Sequence, residues 1–232
     1  MRAMILAAGR GERMRPLTDH TPKPLLHVGG KPLIVWHIER LVRVGITDLV
    51  INHAHLGKQI EQALGDGNQF GATIRYSDEG VALETAGGIV FAAHLLGDEV
   101  FAVVNGDVYC DFDFTHLPAH AAALSNSDDM AHLVLVDNPE HNLKGDFGLQ
   151  DARITDTPPK LTFSGIALYK PQLFAHIERG TKAPLAPLLR EQIAAGKVGG
   201  EHHRGMWVDV GTPQRLDKLD KQLLASQNAA HV

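Results

Sequence analysis

The hydrophobic pattern of the chain alternates between two periods. Short apolar-rich runs recur at Met1–Ala8, Asp48–Ala54 ("DLVINHA"), Ala72–Glu79 and Val100–Val108 ("VFAVVNGDV"), each of a length that suits a strand. Between them lie stretches whose apolar residues return at three- and four-residue spacing. In Pro32–Val44, Ile34, Ile38 and Leu41 share one face, Pro32 suits the first turn and Gly45 the C-terminal cap. Leu56–Leu64 and Gly87–Leu96 read as two more helices, and a helix around Thr115–Ser125 precedes a strand at Met130–Val136. Strands alternating with helices imply an α/β fold with a Rossmann-like, mostly parallel sheet and helices on both faces. The unbroken apolar run from Val100 to Val104 fits a strand covered on both sides.

Beyond Asp137 the pattern changes. "FGLQDARITD" and "LTFSGIALYK" read as β-ribbon, followed by helices near Pro171–Glu178 and Leu185–Ala195, short strands and a last helix from Pro213. No repeat, low-complexity run or linker interrupts the chain. The expectation is one domain, 1–232, with a larger lobe of about 1–136 and a smaller β-lobe of about 137–232 enclosing a ligand cleft. In open α/β sheets ligands sit outside the carboxyl ends of the strands, and Gly9–Arg15 and Asn105–Val108 both fall there.

With 232 residues, 44% of them hydrophobic and 21% charged, the chain has the composition of an ordinary soluble domain. Its formal net charge of −5 provides no footprint for a nucleic-acid polymer. A small anion needs only local positive charge. One cysteine, Cys110, excludes an internal disulfide and a cysteine metal cluster, and reads as a buried small hydrophobe. "MILAAG" is too short for a signal core, and no stretch approaches the ~20 apolar residues of a membrane span. The expected location is the cytoplasm, with no membrane partner.

The local positive charge is in "LAAGRGERMRPLTDHTPKPL", Leu6–Leu25. A P-loop spacing is absent, and a dinucleotide fingerprint would need glycine where Met14 stands. A G-x-G can also be a plain strand-to-helix turn. However, Arg10, Arg13 and Arg15 beside amides freed by Gly9 and Gly11 could hold a triphosphate by forked hydrogen bonds. Lys23 sits between two prolines, which stiffen its mounting and pre-orient the cation. Asp107 in "NGDV" and Asp209 in "WVDVGT" are two remote acids at turn positions. Mg²⁺ prefers one or two carboxylates together with phosphate oxygens and water, and this pair offers them.

Taken together, "GRGERMRPLT", "PKPLL", "NGDV" and "WVDVGT", in this order across nearly the whole chain, resemble the sugar-1-phosphate nucleotidyltransferases. The resemblance implies a Rossmann-like nucleotide domain merged with a sugar-binding β-lobe, acting as a monomer or small homo-oligomer. It assigns Gly9, Gly11, Glu12 and Arg13 to the nucleotide loop, Arg15 and Lys23 to the phosphates, and Asp107 and Asp209 to Mg²⁺. Arg15, Lys23 and Asp107 would be the catalytic set. "LETAGGI" is similar to the family's base-recognition loop, with Thr85, Gly87 and Gly88 at the base edge. "FSGIALY" would line the sugar, with Asn105, Glu140, Lys144 and Gly148 as further sugar-phosphate contacts. The substrates it implies are a nucleoside triphosphate, UTP, and a sugar 1-phosphate, N-acetylmuramate 1-phosphate, a reactant of peptidoglycan recycling. Mannose 1-phosphate with a guanylyl donor is the alternative.

Many relatives carry Glu-Lys-Pro before the sugar strand. This chain has "TDTPPKLTFSG", so Lys160, Glu140 or Lys144 would have to substitute. A muramate carboxylate would need a cation, for which Lys144, Arg153 and Arg204 are available. Two other classes compete. A nucleotide-sensing module could dispense with Lys23 or one aspartate, yet all three are present. Histidine-based metal hydrolysis is suggested by fourteen histidines, but Pro118 lies between His116 and His120, and no H-E-x-x-H occurs.

Overall fold

The computed structural model describes residues 1–229. β1 (Ala3–Leu6) leads into the glycine-arginine segment, which runs through three 3-10 turns to a small hairpin of β2 (His27–Val28) and β3 (Lys31–Pro32). α1 (Leu33–Arg43), β4 (Asp48–His53), α2 (Gly57–Leu64), β5 (Thr73–Asp78), α3 (Glu84–Leu96) and β6 (Phe101–Asn105) then alternate as the periodicity demands. The single strand expected over Val100–Val108 is broken: a turn at Gly106–Asp107 separates β6 from β7 (Val108–Cys110). Gly106 permits the break. Its N–H donates to the Leu6 carbonyl at 2.8 Å, and a Cβ there would stand 2.7 Å from that oxygen.

α4 (Leu117–Ser125), β8 (Ala131–Val136), β9 (Phe147–Gln150), β10 (Arg153–Thr155), β11 (Lys160–Tyr169), α5 (Leu185–Ala194), β12 (Val198–His203), β13 (Trp207–Asp209) and α6 (Pro213–Ala229) complete the chain. The helix expected near Pro171–Glu178 is only a 3-10 turn at Pro171–Phe174, with amides bonded three residues back.

Nine strands form one sheet in the order β5-β4-β1-β6-β11-β8-β12-β10-β9. β5, β4, β1 and β6 pair parallel, as do β8 and β12. β11 runs antiparallel between β6 and β8, and β10 between β12 and β9. β11 is therefore a central strand as well as one arm of the expected ribbon, its first residues Lys160 and Leu161 pairing antiparallel with Gly148 and Phe147 of β9. Its C-terminal half is buried throughout, and only a position covered on both faces accommodates such a segment. The sheet runs without interruption across residue 136.

Strand alternation feeds two cores. Ala3 and Ile5 of β1 turn to one face, where Ile34, Ile38 and Leu41 of α1, Ile60 of α2 and Leu117 of α4 pack. Met4 turns to the other face, against Ala86, Ile89 and Ala92 of α3 and Leu189 of α5. A third, smaller cluster joins Met14, Val28, Leu33, Tyr109 and Val210 to Leu219 and Leu223 of α6. The last helix thus clamps the glycine-arginine segment, with Met14 fully buried as the anchor. Among the described residues, no helix is long and apolar enough to cross a membrane.

Candidate active site

A cavity of about 500 Å³ opens at the carboxyl ends of β1, β4, β5 and β6. Leu6 and Asn105 end two of these strands, Asn52 is the last but one residue of β4, Glu79 follows β5, and all four residues line the cavity. Such placement follows from parallel strands, whose carboxyl ends share one edge.

Gly9, Gly11, Glu12 and Arg13 form one wall. Among the described residues the amides of Gly9, Arg10 and Gly11 donate to no group, so they remain available to an anion. Gly11 has φ 67, and a Cβ there would meet Thr18 Cγ2 at 3.0 Å and Lys23 Cβ at 3.3 Å. Lys23 passes beneath the loop through that gap. It is 94% buried, and its Nζ lies 2.6 Å from Asp107 Oδ2 at the cavity floor. A buried, directed cation of this kind is prepared for an incoming anion.

Arg15 departs from the expectation. Its Nε pairs with Asp19 at 3.1 Å, it is half-exposed, and it does not line the cavity. Burial of Met14 fixes the turn, and with Met14 between them Arg13 reaches the cavity wall while Arg15 does not.

The segment expected to be a base-recognition loop is the start of α3, which begins at Glu84 rather than Gly87. Thr85 lines the cavity, but Gly87 and Gly88 do not. The Gly87 amide is taken by the Ala183 carbonyl at 3.1 Å, and a Cβ on Gly87 would meet Thr181 O at 2.4 Å. A Cβ on Gly88 would meet Glu79 Oε1 at 2.5 Å. Both glycines serve close packing. Glu84 itself adopts φ 62 at the cavity edge, a conformation uncommon outside glycine.

The polar group that does face this part of the cavity is Glu79. Asn52 accepts from the Ala7 amide at 2.9 Å and donates to Glu79 Oε1 at 2.5 Å, while Glu79 Oε2 accepts from the Leu83 amide at 2.8 Å. Half-burial raises the Glu79 carboxyl above its ordinary range, against the opposing pull of Asn52 and the Leu83 amide. Sequence reasoning passed over both residues. The available signal was a polar residue, Asn52, within the apolar end of a predicted strand.

Asp107 and Asp209 come together through β7 and β13. These strands pair antiparallel with Asp209 opposite Val108, and the Val210 amide donates to the Asp107 carbonyl at 3.1 Å. Each carboxylate is engaged through Oδ2: Asp107 with Lys23, and Asp209 with Arg215 Nη1 at 2.8 Å and His141 Nε2 at 3.3 Å. Asp107, in the turn before β7, lines the cavity, whereas Asp209 does not; among the described residues neither Oδ1 has a hydrogen-bond partner, and hard carboxylate oxygens are the donors Mg²⁺ prefers. His37 supports this floor from below. It is fully buried, and its Nε2–H donates to the Val108 carbonyl at 2.7 Å.

Asn105 lines the cavity, and β11 makes room for it. Gly165 has φ 80 at an irregularity in the β11–β8 register, and any Cβ there would stand 2.5 Å from Asn105 Nδ2. The other expected sugar contacts are elsewhere. Glu140 and Lys144 are exposed and do not line the cavity. Gly148 is buried in β9, where a Cβ would meet Thr157 O at 2.3 Å, so its role is packing. Lys160 pairs with Asp156, and Arg153 is held by Asp129 at 2.6 Å. Arg204 is exposed. The side chains that converge on Asp209 are His141 and Arg215, neither legible in advance, because both depend on the fold of segments after residue 136.

The nucleotidyl transferase family model matches residues 2–226. The chain is 55% identical over 221 residues to the N-acetylmuramate alpha-1-phosphate uridylyltransferase of Neisseria meningitidis, covering 93% of this chain and 95% of that one. It is 30% identical over 230 residues to a mannose-1-phosphate guanyltransferase of Hypocrea jecorina, of which it spans 62%. In fold it is similar to a Bacillus anthracis protein described as a candidate glucose-1-phosphate thymidylyltransferase, with a TM-score of 0.82 at 23% identity, covering 97% and 95% of the two chains.

Proposed function

The chain belongs to the nucleotidyl transferase family, and from that premise we propose that it transfers a uridylyl group from UTP to N-acetylmuramate 1-phosphate, releasing pyrophosphate. The observation carrying this choice of base and sugar is the 55% identity to the Neisseria uridylyltransferase over nearly the full length of both chains. The mannose relative is more distant and much longer.

The proposed chemistry needs no general base, because the sugar phosphate oxygen is already an anion. The barrier is repulsion between two polyanions and charge accumulating at the α-phosphate, so positioning and electrostatic stabilisation are the protein's main contribution. Lys23 neutralises the reacting phosphates from the cavity floor. The amides of Gly9–Gly11 and the Arg13 guanidinium take the β- and γ-phosphates, in the role that Arg15 had been expected to share. Asp107 and Asp209 would hold Mg²⁺, which when bound screens the phosphate charges and aligns the attacking and leaving oxygens.

Glu79 is compatible with uracil by its chemistry. A carboxylate acceptor suits a base edge that presents an N–H, as uracil does at N3, and the choice among bases rests on the sequence identity. Asn105 and the β11 strand face the acceptor. With N-acetylmuramate 1-phosphate as acceptor, the proposed setting is the cytoplasm and the proposed pathway peptidoglycan recycling.

The deciding experiment offers UTP, GTP, CTP and dTTP against N-acetylmuramate, mannose and glucose 1-phosphates, reading pyrophosphate release with Mg²⁺ and with EDTA. UTP with N-acetylmuramate 1-phosphate should give the highest kcat/KM, abolished by EDTA. A preference for GTP with mannose 1-phosphate would replace this assignment.

A further inference from the structure

A second group of ligand-type side chains lies away from the nucleotide cavity, on the outer surface where α4 crosses β8 and β12. It contains His116 and His120 of the α4 region, His132 of β8 and Glu201 of β12. None of these residues lines the cavity.

The fold explains their convergence. α4 buries Leu117, Ala121 and Leu124 in the core, which fixes the rotation of the helix over the sheet. Pro118, which from sequence appeared to break the His116–His120 relation, lies in the first turn of α4, where a missing amide costs nothing. His116 has φ −76 and ψ −24, so the helical path already includes it, and the two rings stand one turn apart with centroids 6.3 Å from each other. On the sheet, β8 and β12 pair with Gly199 opposite His132 and Val134 opposite Glu201. His132 and Glu201 are therefore diagonal neighbours on one face, and Gly199 leaves space for the imidazole.

The rings of His120 and His132 stack at 4.3 Å and 20°, and both present Nε2 to the same Glu201 Oε1, at 3.3 and 3.1 Å. Ligand atoms of His116, His120 and Glu201 all lie within 4.8 Å of one another. Tetrahedral zinc with bonds of about 2.0–2.1 Å needs ligand atoms about 3.3 Å apart, and the 3.3 Å from His120 Nε2 to Glu201 Oε1 already matches.

We propose that His116, His120 and Glu201 form a binding site for a transition-metal dication of the zinc class, tying α4 to β12, with His132 hydrogen-bonded to Glu201 beside it. Imidazole nitrogens with one carboxylate favour Zn²⁺, Co²⁺ or Ni²⁺ over Mg²⁺, so this site and the Asp107–Asp209 pair would select different ions.

The test uses the full, untagged chain stripped of metal by chelation. Zn²⁺ is titrated calorimetrically in excess Mg²⁺, with zinc content measured after dialysis. The expected result is one Zn²⁺ per chain and a higher melting temperature. Co²⁺ should give the visible absorption of a tetrahedral complex. His120→Ala and Glu201→Gln should each weaken Zn²⁺ binding by about 100-fold or more, beyond the 10–100-fold typical of outer-shell partners. Asp209→Asn should leave it unchanged. His116 is more than half exposed, so His116→Ala removes a ligand from a chain that folds normally. The absence of stoichiometric Zn²⁺ in the wild type would overturn the site, as would unchanged affinity in His116→Ala and in Glu201→Gln.

Discussion

His37 links the stability of the active-site floor to pH. Its ring is fully buried beneath β7, Nε2–H donates to the Val108 carbonyl, and among the described residues Nδ1 has no partner. Burial lowers its pKa from 6.5 to about 4, an effect that Arg40 adds to and the Val108 bond and Asp107 oppose. The folded state therefore holds His37 neutral through a range where the unfolded chain takes up a proton. The sign follows from linkage: below about pH 6.5 the unfolded state binds more protons, so stability falls as pH drops toward about 4. At about 1.4 kcal/mol per pH unit over that interval, the penalty is on the order of 3 kcal/mol, a large share of the ~5–15 kcal/mol typical of a domain. His37→Gln keeps a donor for the Val108 carbonyl but cannot titrate. Urea unfolding of both proteins at intervals from pH 7.5 to pH 4 should show the wild type losing about 3 kcal/mol more than the variant. All other groups titrate alike in the two proteins, so the difference isolates this ring. Parallel curves would refute the reasoning.

Three further outcomes are expected. Lys23→Ala removes a buried cation from Asp107, and kcat in the pyrophosphate assay should fall by about 10²–10³ or more, while an effect confined to KM would contradict its role at the reacting phosphates. Gly88→Ala must displace the Glu79 carboxylate, because its Cβ would stand 2.5 Å from Oε1; the KM for UTP should rise several-fold, and unchanged UTP kinetics would remove Glu79 from the base subsite. Arg15→Ala should leave kcat/KM within a few-fold of wild type, because the side chain pairs with Asp19 outside the cavity, whereas Arg13→Ala should lower it by at least tenfold; the reverse ranking would restore Arg15 to the catalytic set.

Much of the molecule was legible in advance because its determinants are local. Ile34, Ile38 and Leu41 set the buried face of α1 through their spacing alone. The glycines and prolines around Lys23 define their backbone conformations wherever they occur. The parallel edge was equally readable, since alternating strands and helices leave few topologies and all deliver strand ends to one side. Local signals also misled. A run from Val100 to Val108 reads as one strand, yet Gly106 bonds to Leu6 and releases Asp107 into a turn. The family resemblance put Gly87 and Gly88 at the base edge, although their missing side chains serve close contacts with Thr181 and Glu79.

The sequence by itself determined the α/β class, the glycine-arginine loop, the directed lysine and the two acids, because each rests on residue type and neighbours within a few positions. Only the tertiary structure decided that β11 lies at the centre of the sheet, that α6 returns to anchor Met14, and that Asp209 meets His141 and Arg215. It also decided that four residues from a helix and two strands share one outer surface. Those pairings join segments separated by tens to hundreds of residues. Their partners are selected by the burial of whole faces, a property of the assembled sheet that no short stretch of chain carries.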